Sequence, residues 1–359
     1  MTVAAIDRII SKAKPHQPGV QVIPHESALD YIVASALPPQ PDDDDQLVEG
    51  VLGRIALSIL FGDSNSGKTF AAIDMGAAIS LTLPWMGRNV VGGLVVYLAT
   101  ESPRSVITRL QAYQQHNRCR LDNFVVVRTP INLFDGQADA AAVVDLIKSL
   151  EDDRQMKCEL VIGDTLSRMA AGSNENSGED MGIVIQHAEH IVREASVHFM
   201  AIHHSGKDAA RGARGWSGLR AAVDTELEVT ADDTGNRVIE ITKQRDIPGK
   251  GERIGFKLLS INLGIGQWGK PRSSCVVESA DAPAKPGPGK RPSEIAGAIV
   301  QFLTQRGSGA RKSEIVKQLE KNYKSGSVYR ELDKMAKGGR LEECIGIVTL
   351  RHAFTVEKS

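Results

Sequence analysis

Between residues 55 and 260 the chain alternates short, continuously apolar runs with longer stretches whose apolar residues recur every three or four positions. Ile55–Phe61, Gly93–Ala99, Phe124–Val127, Glu159–Asp164 and Val197–His203 are apolar at odd and even positions alike, which predicts strands buried on both faces. Four segments between them carry the helical period. They are Phe70–Ser80, the stretch opened by Ser102 and Pro103, Ala138–Leu150, and Glu179–Ala195. Strand and helix in alternation predict a mostly parallel sheet covered by helices. Residues 165–178 and 204–217 read as polar loops. Thr225–Thr230, Arg237–Thr242 and Glu252–Leu259 alternate apolar with polar, as antiparallel strands do, with a turn at Asp232–Gly235.

The flanks differ. Residues 1–45 form an arm, with short amphipathic helices at Ala4–Lys14 and Ser27–Ser35 and a stiff acidic linker at Pro38–Asp45. The α/β domain takes residues 46–272. A Pro/Gly linker covers 273–292 and is densest from 277 onward. Residues 293–359 then predict three helices, Ser293–Gln305, Ser313–Glu320 and Ser325–Lys337, followed by two short strands within Arg340–Arg351. That is a winged-helix pattern.

Composition adds bounds. The chain has 359 residues, 42% apolar and 24% charged, ordinary for a globular protein of two domains. The four cysteines are scattered without a C-x-x-C pair, which suits a reducing compartment and neither a zinc site nor a disulfide framework. With no signal-peptide pattern and no apolar run of spanning length, a soluble cytoplasmic protein with no membrane partner is expected. The net charge of −1 hides an asymmetry: Lys290–Ser359 sum to +6 and the rest to −7. A basic tail favours a nucleic-acid role there.

One stretch carries specific chemistry. Gly62, Asp63, Ser64, Asn65, Ser66, Gly67, Lys68 and Thr69 fit G-x-x-x-x-G-K-[ST] without a mismatch, between a predicted strand and a predicted helix. Glycines let backbone N–H groups turn inward around phosphates, and the helix N-terminus adds partial positive charge. This predicts an ATP site in which Lys68 reaches the β- and γ-phosphates and Thr69 holds Mg²⁺. Asp164 ends an apolar strand, where the ligand edge of a parallel sheet lies, and is the second Mg²⁺ candidate. Thr165 follows it, so no acid stands directly after. Glu101 ends the strand after the P-loop helix and is the candidate to polarise an attacking water. His204, favoured over His203, is the candidate γ-phosphate sensor. Lys243 and Arg245 are candidates for transition-state charge supplied to a neighbouring subunit's site.

Together these motifs, with His203-His-Ser-Gly-Lys207, Arg211–Arg220, Glu175–Gly182 and Thr242–Asp246, resemble the RepA-type hexameric replicative ATPases, RecA-like proteins of plasmids, phages and mobile elements. The resemblance spans roughly residues 45–270. It implies a RecA-like core, a homo-oligomeric ring with ATP between subunits, and movement on single-stranded DNA. In such relatives the two polar loops face the channel, which makes Arg168, Lys207, Arg211, Arg214 and Arg220 candidate DNA contacts, with Trp216 the only aromatic in either loop. In the C-terminal domain the third helix is the candidate reader of duplex DNA. Lys324, Ser325, Ser327, Arg330 and Lys334 lie off its Val328/Leu332/Met335 face, and Arg340 and Arg351 would be wing basics. Two readings outside the motor class stay open on sequence: an ATP-controlled initiator, loader or regulator, and a recombination mediator.

Overall fold

A computed structural model describes residues 33–36, 45–205, 216, 218–232, 234–283, 294–306, 308–337, 341–344 and 347–350. The chain divides into two compact units, residues 1–282 and 283–359. The helices expected at Ala4–Lys14 and Ser27–Ser35 lie almost wholly outside the described residues, as do Lys207, Arg211, Arg214, Arg340 and Arg351.

In the first unit β1 (Gln46–Val48) and β2 (Leu52–Gly53) make a small antiparallel pair. Among the described residues the main sheet has nine strands: β3 (Leu57–Gly62), β4 (Leu94–Ala99), β5 (Phe124–Val127), β6 (Cys158–Asp164), β7 (His198–His204), β8 (Thr225–Ala231), β9 (Arg237–Gln244), β10 (Arg253–Ile265) and β11 (Pro271–Ala280). Their order is β11-β10-β9-β8-β3-β7-β6-β4-β5. From β8 to β5 the neighbours are parallel; from β8 to β11 they are antiparallel.

The helices α1 (Lys68–Leu81), α2 (Pro103–Asn117), α3 (Ala138–Arg154) and α5 (Gly178–Ala195) cover the sheet, with the short α4 (Leu166–Met169) and α6 (Gly218–Ala222) between strands. Alternation along each strand divides the core. Ile59, Phe61, Val96, Leu98 and Val161 pack with Val143 and Ile147 of α3 and Val184 and Ile191 of α5. Leu60, Val95, Tyr97, Ile162 and Ile202 face the other way, with Ile73 and Ile79 of α1 and Val106 and Leu110 of α2. The β10–β11 hairpin also packs against α1 and α2. Enclosed between two layers, α1 is apolar nearly all round and so is rich in Ala.

The strand pattern predicted for residues 55–242 matches the observed order of elements. The linker expected from 273 is corrected: β11 runs to Ala280, paired with β10 residue by residue from Gly255↔Ala280 to Asn262↔Ser273. Its alternating half-apolar sequence gains strand character from that partner. The second unit contains α7 (Glu294–Arg306), β12 (Ala310–Arg311), α8 (Lys312–Leu319), α9 (Ser325–Lys337), β13 (Leu341–Cys344) and β14 (Ile347–Leu350), the strands in the antiparallel order β12-β14-β13. Its own core joins Ile299 and Leu303, Ile315 and Leu319, and Val328, Leu332 and Met335 to Leu341 and Val348.

Candidate nucleotide site

The parallel strands bring their C-terminal ends to one edge. Register places Gly62 opposite His204, Asp164 opposite Ile202, and Ala99 opposite Asp164. The residues just past these ends converge on a cleft of about 450 Å³ lined by Ser64, Asn65, Gly67, Lys68, Thr69, Glu101, Asp164 and His204, among others. Eight residues singled out from sequence thus meet in one place.

The loop from Gly62 to Gly67 has the conformation its glycines permit. Gly62 has φ 157 and Gly67 φ 105, and a Cβ on Gly62 would lie 2.2 Å from the Val229 carbonyl oxygen. Asn65 takes the left-handed conformation at φ 66, which Asn tolerates. Lys68 Nζ donates to the Gly62 carbonyl at 2.9 Å and the Asp63 carbonyl at 2.8 Å, so the ammonium sits inside the curve of the loop. Burial lowers its pKa, opposed by the carboxylates of Asp164, Asp63 and Glu101. Ser66 Oγ is buried and has no hydrogen-bond partner among the described residues, a polar atom such as a phosphate-binding loop keeps for its ligand.

Asp164 is held from two sides. Its Oδ2 accepts from the Tyr97 hydroxyl at 2.6 Å and from Thr69 Oγ1 at 3.5 Å. Its carbonyl oxygen accepts from Thr100 N, Thr100 Oγ1 and Glu101 N at 3.0, 2.8 and 3.1 Å. These three donors fix the turn that presents Glu101, whose side chain is exposed at the mouth of the cleft. Burial raises the Asp164 carboxyl; the Tyr97 hydrogen bond, Arg109 and Lys68 oppose it, and Glu101 adds to it. The facing oxygens of Thr69 and Asp164 fit Mg²⁺, a hard cation that takes one or two protein oxygens and completes its shell with phosphates and water. Among the described residues no cluster of three or more His, Cys, Asp or Glu suits a metal held by protein alone.

Three residues of this region were not picked out in the sequence. Tyr97 is the one hydroxyl in the buried strand Leu94–Ala99, and a buried hydroxyl needs a partner; that signal was legible. Arg109 of α2 lies over the Phe70 ring, 4.4 Å from its centroid, and Arg237 opens β9 beside Gly67; both line the cleft. Either reads as an ordinary surface cation in one dimension.

Lys243 and Arg245 lie elsewhere. β9 runs antiparallel to β8, so Arg237 is paired with Ala231 at the P-loop edge, whereas Lys243 is paired with Glu226 at the opposite edge. The length of β8 separates them, about 20 Å. Lys243 Nζ donates to the Arg220, Ala221 and Val223 carbonyls. Arg245 donates to Asp224 Oδ1 at 2.7 Å and the Ala221 carbonyl at 2.8 Å. Neither cation reaches its own chain's P-loop.

Of the loop cations, Arg168 is exposed on α4. Arg220 is bound within the fold, to Glu226 at 3.2 Å and to the Thr242 carbonyl. Trp216 packs its indole against Gly178 and Gly218 and joins the core, so it is not a free stacking platform. In the second unit Val328, Leu332 and Met335 are buried on α9, while Lys324, Ser325, Arg330 and Lys334 are exposed and Ser327 is half-buried. Lys334 pairs with Glu331 one turn before it.

Among the described residues no helix is long and apolar enough to cross a membrane. A family model described as an AAA domain matches residues 23–210, which contain the P-loop, Glu101, Asp164 and His204. Comparison with curated proteins finds no match.

Proposed function

The chain belongs to the AAA-domain family of P-loop ATPases, and from that premise we propose that it is a Mg²⁺-dependent, RecA-like ATPase that works on DNA as a ring of identical subunits, with helicase activity its foremost form. One observation carries the reading. The cleft holds Lys68, Thr69, Asp164, Glu101 and His204, whereas Lys243 and Arg245 stand on the far edge of the same sheet. A second copy, docked edge to edge, would complete the site.

In this reading the loop from Gly62 to Gly67 wraps the triphosphate with backbone N–H groups, and Lys68 neutralises the β- and γ-phosphates. Thr69 and Asp164 would hold Mg²⁺, which when bound supplies positive charge against the phosphate oxygens. Glu101 accepts a hydrogen bond from the attacking water and orients it. His204, level with Gly62 on the neighbouring strand, reports on the γ-phosphate. Arg245 or Lys243 of the adjoining subunit supplies transition-state charge. The second unit is a winged helix that meets duplex DNA through the exposed cations of α9, and its basic charge supports that role.

The test is ATP hydrolysis with and without single-stranded DNA, followed by unwinding of a forked duplex. A motor is stimulated by the strand and opens the fork. Hydrolysis indifferent to DNA, with the fork intact, would sink the motor reading. A footprint on one duplex sequence, lost in Arg330→Ala, would favour an ATP-controlled initiator or regulator instead.

A further inference from the structure

Arg237 stands where sequence reasoning placed no cation. It is the first residue of β9, paired with Ala231, two residues past the Val229 that pairs with Gly62. Its side chain lies across the P-loop: a Cβ on Gly67 would sit 3.0 Å from Arg237 Cδ and 3.2 Å from its Nε, with the Phe256 ring behind at 3.3 Å. The guanidinium is anchored at one corner, Nη1 donating to the Gly235 carbonyl at 2.8 Å. Its Nε–H is buried and has no acceptor among the described residues. A buried donor of this kind carries a desolvation cost until something accepts from it.

Sheet order fixes which part of a ligand it can meet. β7, β6 and β4 lie on one side of the P-loop strand β3 and bring His204, Asp164 and Glu101 to the cleft. β8 and β9 lie on the other side and bring Arg237. The groups suited to the metal and the water are therefore on one flank, and Arg237 is on the other.

We propose that Arg237 grips the α- and β-phosphates of the bound nucleotide in its own subunit, from the flank of the P-loop opposite the metal, and so sets affinity for ATP and ADP alike. This rests on the ATPase reading and adds a cis cation to it. Phosphates present in both substrate and product are bound equally in ground state and transition state, so the contribution belongs to KM and not to kcat. That separates Arg237 from Arg245, whose proposed role is in the rate.

The experiment titrates N-methylanthraniloyl-ATP and N-methylanthraniloyl-ADP into the full chain and its Arg237→Gln and Arg237→Lys variants, alongside steady-state hydrolysis and melting without nucleotide. Removing a charge-assisted contact to phosphate should weaken both probes by about tenfold or more and by the same factor. KM should rise with it, and Arg237→Lys should recover part of the loss. Unchanged affinity in Arg237→Gln overturns the assignment, as does a fall in kcat at unchanged affinity. A lowered melting temperature in both variants that accounts for the weaker binding also overturns it, because it marks Arg237 as a prop for the P-loop. Failure of the parent protein to bind either probe would instead refute the ATPase reading itself.

Discussion

The Tyr97 hydroxyl donates to Asp164 Oδ2 at 2.6 Å inside the sheet, one strand over from the acid it holds. Tyr97 is fully buried, and burial together with the neighbouring Asp164 charge holds its phenol well above the ordinary pKa, so it stays a donor. The bond aims the carboxylate at Thr69. Tyr97→Phe should cost about 1–3 kcal/mol of stability. It should also raise the Mg²⁺ concentration needed for half-maximal hydrolysis, because the freed carboxylate rotates away from Thr69. A melting curve and a Mg²⁺ titration check the two effects. An unchanged Mg²⁺ dependence would reduce Tyr97 to a packing residue.

Lys68 and Glu101 should separate binding from chemistry. Lys68→Ala removes the ammonium held by the Gly62 and Asp63 carbonyls and should abolish turnover. Glu101→Gln keeps the side chain's shape, so nucleotide affinity should hold while hydrolysis falls by about 100-fold or more. Fluorescent-nucleotide binding beside a phosphate-release assay distinguishes them. Normal turnover in Lys68→Ala would remove the basis of the ATPase reading.

Arg245 is tied to Asp224 and the Ala221 carbonyl at the edge away from its own P-loop. If it acts on a neighbour, Arg245→Ala alone should be inactive and should regain partial hydrolysis when mixed with Lys68→Ala. Each variant then supplies what the other lacks at some of the mixed interfaces. Mixing ratios that never restore activity would show that the trans assignment is wrong.

Asp74, on the helix that follows the P-loop, accepts from Trp85 Nε1 at 3.0 Å. Burial pushes its carboxyl up to about 7, against the lowering effect of that bond. The folded state therefore holds this proton more tightly than the unfolded chain. Its contribution to stability is full below the ordinary carboxylate pKa and is lost as pH rises to about 7. Asp74→Asn should flatten that part of the stability–pH curve. Denaturant unfolding of both proteins between about pH 4 and 8 tests this; parallel curves would show that Asp74 titrates normally.

The sequence alone determined the order of elements through the parallel half of the sheet, because buried strands and amphipathic helices write their periods directly into apolar positions. It also determined the P-loop, whose glycines and Lys68 are adjacent in the chain and have one chemical use at that spacing. Glu101 and Asp164 were legible as acids at strand ends. Tertiary structure decided everything that depends on which strands are neighbours. β11 emerged where a linker was expected, because its pairing with β10 is a non-local contact. Antiparallel β9 sent Arg237 to the cleft and Lys243 to the far edge, although both belong to one short strand. Tyr97, Arg109 and Arg237 reach the site from separate elements, and their proximity depends on packing that no local pattern encodes.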